Sequence, residues 1–476
     1  MDNAHAPAAR IAEIDISAQA RALSVLRWSD YVLVVLCGSM ALGVVSDLLV
    51  GNAQESVVLV FDLICVAIFG FSAYTGWRHV GTIDPRVWRA YLLVFPLLFV
   101  GAAFMLLSVV VNHFSDDAAP TLLDTQLLAA VFGTSWVAAI ALPAFVCVLL
   151  LRSMRVAPFG VTLADLLGRL AGHQGTAGAK LAGLARIKPR RGLLFGAAGA
   201  LVIVGVLLAP APSDPKLADA AMRLWPQLNL LGFYLLLRAR RYFQVSADSL
   251  LAVDKRSPVL FLRSFDDDEK QVFADAGRAL LDFSLETRLA NHFHRFGPFI
   301  AIGSPKDSVP QLGAARVLLP DDQWQERVLG WMRDAGLIVM YSGKTRWVNW
   351  ELRQVIDSDR ATRLILLIPE IKGWRSGKRK QDLAARVEHI REVFKDTPWS
   401  EELLAWSDFA DLRAMLFRAD GSMVMVKSRS RSRDSYHLAA LVAPQVMLER
   451  VALPEMPASA LSARAPAWRR PASSKA

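Results

Sequence analysis

The sequence predicts two regions: a multi-span α-helical membrane domain, then a cytoplasmic α/β domain with a parallel sheet and helices on both its faces. Three observations predict this. Hydrophobic residues make up 54% of the 476 residues against 21% charged, and the apolar excess sits almost wholly before Leu237. Four stretches, 31–50, 56–76, 90–111 and 127–151, are apolar enough to cross a ~30 Å hydrocarbon layer, which takes about twenty helical residues. From Ser257 onward, short apolar runs alternate with amphipathic segments, the pattern of strands alternating with covering helices.

The first region begins with a polar N-terminal segment, 1–28, which carries acids beside Arg10, Arg21 and Arg27 and lacks the character of a cleavable signal. The membrane domain is placed at 29–240. Two weaker apolar stretches, 193–209 and 218–237, join the four long ones, although Arg223, Pro226 and Asn229 interrupt the last. Loop charge decides in favour of keeping both. Arg78, Arg86 and Arg89 follow the second stretch, a run from Arg152 to Arg191 follows the fourth, and Arg238, Arg240 and Arg241 follow the sixth. The intervening loops are acidic or nearly free of Lys and Arg. This alternation predicts six spans of a plasma or bacterial inner membrane, with both termini cytoplasmic.

The same rule accounts for the net charge of +10. No base-reading motif accompanies it, so the lipid bilayer and not nucleic acid is the expected partner. Cys37, Cys65 and Cys147 all lie in apolar segments, which argues against a disulfide framework. Gly192, Gly196 and Gly199 offer a small-residue face for close helix packing. Residues 161–170 read as an amphipathic helix at the membrane surface.

The cytoplasmic domain is placed at 241–452, ahead of a Pro-, Ala-, Ser- and Arg-rich tail, 453–476, whose composition predicts disorder. Strands are expected at 259–263, 299–302, 337–341, 364–368 and 423–426, and helices at 283–296, 322–335, 347–357, 381–394 and 436–448. Near-continuous Val, Ile and Leu in these runs suits strands buried on both faces. In an open parallel sheet the ligand crevice lies beyond the carboxyl ends of the strands. Those ends read Ser264-Phe265-Asp266, Gly303-Ser304, Ser342-Gly343 and Pro369-Glu370.

The stretch from Gly336 through Ser342, Trp347 and Glu351 to Leu352 resembles the central signature of TIR domains, where a buried strand ends in Ser and the next helix opens with Trp-x-x-x-Glu-Leu. The run from Val259 to Ser264, Phe265 and Asp266 looks like the first strand of that family. The similarity covers roughly 257–368. It departs from the family in a long loop at 303–320, a basic insertion at 372–380 and the bulky Trp350 beside the key Glu. The resemblance implies a flavodoxin-like, TIR-like sheet and a catalytic Glu351, with NAD as substrate and no bound cofactor. It also implies substrate contacts at Ser264, Phe265, Asp266, Ser342 and Trp347, and homo-oligomers formed through this domain.

A lone carboxylate suits that chemistry. The nicotinamide ring is cationic while bonded to ribose and leaves as a neutral molecule, so no general acid is required, and a carboxylate can stabilise the oxocarbenium-like ribose that remains. Plainer readings stand beside it. A Glu near a helix start suits the positive end of the helix dipole, Trp347 can be core, and Ser342 can cap a turn. Asp266, Asp267 and Asp268 read as a capping run, and His292 and His294 face different directions, so no metal site is predicted. Three function classes follow: a membrane-anchored NAD-cleaving signalling or defence effector, a non-enzymatic signalling adaptor, and a regulated transporter or channel using Asp62 or Arg223.

Overall fold

The computed structural model describes residues 11–50, 145–156, 161–162, 188–208, 215–263, 284–303, 312–319, 323–343, 345–368, 376–407, 409, 411–430 and 432–448, with isolated helical positions between 67 and 96. The strands are β1 (Ile11–Asp15), β2 (Arg155–Val156), β3 (Val161–Thr162), β4 (Val259–Leu262), β5 (Phe299–Gly303), β6 (Ala315–Leu318), β7 (Leu337–Tyr341), β8 (Leu364–Leu367), β9 (Leu412–Phe417) and β10 (Met423–Lys427). The helices are α1 (Ser17–Val50), α2 (Pro189–Leu208), α3 (Pro215–Tyr242), α4 (Ala247–Val253), α5 (Leu285–Phe293), α6 (Trp324–Asp334), α7 (Arg346–Asp357), α8 (Ser376–Val393), α9 (Ser400–Ala405) and α10 (Arg433–Leu448).

Eight strands form one sheet in the order β1-β10-β9-β8-β7-β4-β5-β6, and β2 and β3 pair separately. The five strands from β6 to β8 are mutually parallel. Beyond β8 the sheet is mixed: β9 runs antiparallel to β8 and β10, and β1 is parallel to β10. The all-parallel expectation therefore fails at this end. A short turn through Asp420 and Gly421, the latter at φ +77°, joins β9 to β10, and so tight a connection permits only antiparallel pairing.

Side-chain alternation splits the core into two layers. Val259, Phe261, Val339, Ile365, Leu416 and Val424 face α1, α5 and α10. Leu260, Ile338, Met340, Leu366, Met415 and Met425 face α4, α6, α7, α8 and α9. Helices thus cover both faces, as the apolar runs predict.

The N-terminal segment is not separate from this domain. Ile11 to Asp15 pair with Met423 to Lys427 at the sheet edge, and α1 then runs unbroken for 34 residues through the first predicted span. Where α1 leaves the sheet, the Asp434 carboxylate at the start of α10 takes Arg288 at 2.6 Å and Arg27 at 3.3 Å. All three side chains are buried, and Tyr31 adds a contact to Arg288 at 3.2 Å.

Among the described residues, one helix is long and apolar enough to cross a membrane by length and composition, over Pro189–Val206 in α2. The predicted spans 56–76, 90–111 and 127–151 lie wholly or largely outside the described residues. Val161 and Thr162, expected to open a surface helix, instead pair with Val156 and Arg155 as a short ribbon. Helices α2 and α3 form an antiparallel hairpin, with Phe195 stacked on Tyr242 at 5.4 Å. The hairpin requires glycine at its crossing. A Cβ on Gly199 would lie 2.7 Å from the Gly232 carbonyl oxygen, and one on Gly232 would lie 2.6 Å from Ile203 Cγ1.

Two outcomes are expected. Gly232→Val should force the hairpin apart and destabilise it by about 1–3 kcal/mol, lowering the thermal unfolding midpoint, whereas Gly205→Ala, where an added Cβ meets nothing within 4 Å, should leave the midpoint equal or slightly raised. Asp434→Leu should cost roughly 3–5 kcal/mol in chemical denaturation, because Arg27 and Arg288 stay buried without their shared carboxylate.

Candidate functional site

The connection from β5 and β6 back to β7 passes to the other side of β4, so the chain reverses direction across the β4–β7 pair. The crevice of an open α/β sheet forms at the carboxyl ends on either side of such a reversal. Here those ends are Arg263 after β4 and Ser342-Gly343 after β7.

The backbone of Ser342 is held from both sides. Its N–H donates to the Leu367 carbonyl at 2.8 Å, and its own carbonyl accepts from Arg386 Nη1. Its hydroxyl, in a residue 2% exposed, has no hydrogen-bond partner among the described residues. Gly343 lets α7 approach, since a Cβ there would stand 3.1 Å from Val348 Cγ2. Thr345 then caps the helix, its Oγ1 accepting from the Val348 N–H at 3.4 Å. The buried face of α7 is Val348, Glu351, Leu352 and Val355.

Glu351 therefore points into the packing between α7 and the sheet. It lies in the second turn, and the first turn of α7 carries no acid. The helix-start explanation for this residue thus loses most of its force, because the dipole effect fades within one turn. The residue is 8% exposed and its Oε2 has no partner among the described residues. Burial alone pushes its pKa up to about 8.

Trp347 is 48% exposed and meets Trp324 edge-on at 5.3 Å, with the Arg346 guanidinium 5.7 Å above its ring. Trp350 contacts the same Trp324 at 5.5 Å, so the tryptophans form an aromatic cluster on the outer side of α7. Ser264, Phe265 and Asp266 lie outside the described residues. Arg263, the last described residue of that segment, turns away to Glu286 of α5 at 2.6 Å. Burial would raise the Glu286 pKa, but Arg263, Arg316 and the Ala314 N–H together hold it below the usual carboxylate value.

Arg386 is the residue sequence reasoning missed. It is 2% exposed on α8 and fixes the strand end that carries Ser342. The only signal was its place in a basic stretch, whose first part, 372–380, reads as an insertion; residues 376–380 in fact open α8. Among the described residues, no group of three or more His, Cys, Asp or Glu side chains could hold a metal ion.

A groove of about 970 Å³ lies elsewhere, lined by Asp248, Leu251, Pro258, Val317, Arg327 and Asp334 among others. Pro258 precedes β4 and Asp334 precedes β7, so this groove sits at the amino edge of the sheet, opposite Ser342 and Glu351. No family model, curated protein or solved structure matches the chain.

The raised proton affinity of Glu351 has a consequence for stability. Between pH 4.5 and about 8 the folded carboxyl keeps a proton that the unfolded chain has lost, so stability falls as pH rises across that window. Glu351→Gln should abolish this slope. Its stability gain over the parent should grow from near zero at pH 4.5 to on the order of 4 kcal/mol at pH 8, measured by denaturant titration.

Proposed function

We propose that the chain is a membrane-anchored TIR-like effector whose cytoplasmic α/β domain cleaves the nicotinamide–ribose bond of NAD through Glu351. The observation that carries this reading is an unpaired carboxyl buried on the helix that follows β7, beside the carboxyl-edge reversal of the sheet. Leaving such a group buried and unpaired costs several kcal/mol, roughly, and strongly perturbed carboxyls concentrate at functional sites. A cationic nicotinamide ring nearby would draw it to the ionised form, since an opposite charge lowers a carboxyl pKa. The carboxylate then stands where positive charge develops on the ribose as neutral nicotinamide departs.

The topology supports the family reading. Setting β6 aside, the order β5-β4-β7-β8-β9 is the flavodoxin-type order, with β9 reversed. The hairpin supports a membrane anchor, whereas six spans with both termini cytoplasmic rest on loop charge alone. Leu193, Leu194 and Leu201 are 64%, 69% and 72% exposed on α2, an arrangement suited to lipid.

Incubating the full chain with subsaturating NAD should release nicotinamide, with a kcat/KM that rises with pH toward about 8 as Glu351 of the free protein ionises. Glu351→Gln should lower that release by about 100-fold or more. Release unaffected by Glu351→Gln would remove the carboxylate from the mechanism. No release by either protein would favour the second reading, a non-enzymatic adaptor acting by self-association. The exposed Trp347 beside Trp324 favours such a surface. In that case Trp347→Ala, and not Glu351→Gln, should abolish association between copies.

A further inference from the structure

The α2–α3 hairpin brings two basic segments to one end. Lys188, Arg190 and Arg191 open α2, and Arg238, Arg240 and Arg241 close α3. Their proximity is fixed by the Lys188 N–H bonded to the Tyr242 carbonyl at 3.2 Å and by Gly192, whose Cα carries no side chain against the Phe243 ring. Arg238 is engaged locally, donating to the Tyr234 hydroxyl at 2.9 Å and lying 5.3 Å over Phe195. Arg190, Arg191 and Arg241 form no ion pair among the described residues. The next acids along the chain, Asp248 and Asp254, are occupied by Arg327 and Arg256.

About one turn along α2 from Arg190 and Arg191, Leu193 and Leu194 are apolar and exposed, and roughly two to three turns from Arg240 and Arg241 so are Leu231 and Phe233 on α3. Arg190, Arg191 and Arg241, which have no ion pair among the described residues, on a hairpin whose exposed Leu193 and Leu194 begin about one turn along α2, match a ligand with an anionic head and hydrocarbon tails. Loop topology alone explains basic residues at this end, but it does not make them select one lipid over another.

We propose that this collar binds the headgroup of an anionic phospholipid of the leaflet facing the α/β domain, with the acyl chains lying along Leu193 and Leu194. The proposal rests on the membrane reading above. Each cation near an anionic surface changes partition by about five-fold, so three should give a preference of at least roughly ten-fold.

The test uses the full chain in neutral detergent, with retained lipid counted by native mass spectrometry after exposure to equal phosphatidylglycerol and phosphatidylcholine. The parent should retain phosphatidylglycerol at least about ten-fold more, and the preference should collapse between ~0.1 and ~0.5 M salt. Arg190→Gln/Arg191→Gln/Arg241→Gln should retain the two lipids equally while still floating with phosphatidylcholine vesicles. Equal retention by the parent, a preference indifferent to salt, or a preference intact in the triple variant would each overturn the site. Failure of the parent to float with vesicles of either lipid would instead overturn the membrane reading itself.

Discussion

The carboxylate of Asp434 holds the two halves of the sequence together. It sits in the first turn of α10, where the helix dipole favours a negative charge, and it serves Arg27 of α1 and Arg288 of α5 at once. Burial and the neighbouring Arg288 lower the proton affinity of Arg27 more than Asp434 and Asp30 raise it. His437, one turn along α10, is held neutral by burial and by the surrounding arginines, so it adds no further cation. A buried bridge of this kind adds little net stability over an apolar contact, yet it is costly to break. Its effect is orientation: α1 leaves the sheet edge in one fixed direction.

The cost at Glu351 has the opposite character. Glu286 is equally buried, but Arg263, Arg316 and the Ala314 N–H compensate its charge. Glu351 has no such partner and Ser342 Oγ beside the crevice has none either, among the described residues. The same fold therefore shows one carboxylate satisfied for structure and one left unsatisfied. Arg386 sharpens the contrast, because its buried cation is spent on the Ser342 carbonyl.

What could be read from the sequence follows from how each strand meets its charges. The runs at β4, β7 and β8 are wholly apolar and buried, and they were legible from composition alone. Strands β6 and β9 were not, because each carries an arginine where an apolar residue is expected. Arg316 is buried against Glu286, and Arg413 is fully buried against backbone carbonyls of Leu412 and Ser430 with its guanidinium over Tyr436. Strand β1 was hidden for another reason: its partner lies more than four hundred residues away, and nothing local marks a five-residue stretch as an edge strand. For the site, Glu351 was legible as a motif residue, while its second-turn position depends on where Thr345 caps the helix. Arg386 acts through a backbone carbonyl, a partner no spacing pattern reveals.

The two connections into the helical half meet the sheet at opposite edges. At one, β1 pairs with β10 and leads directly into α1. At the other, the chain leaving α3 forms a parallel bridge from Ser246 to Arg316 of β6, then turns into α4 with Ser246 as its cap. At the β6 edge the bridge from Ser246 occupies part of a strand edge that would otherwise invite pairing with other chains. Both of these attachments to the helical half lie at the sheet edges, and β4 and β7 occupy its middle. Ser342 follows β7 and Glu351 lies on the buried face of the next helix, so both unsatisfied polar groups belong to the middle of the sheet and not to the edges that hold the helical half.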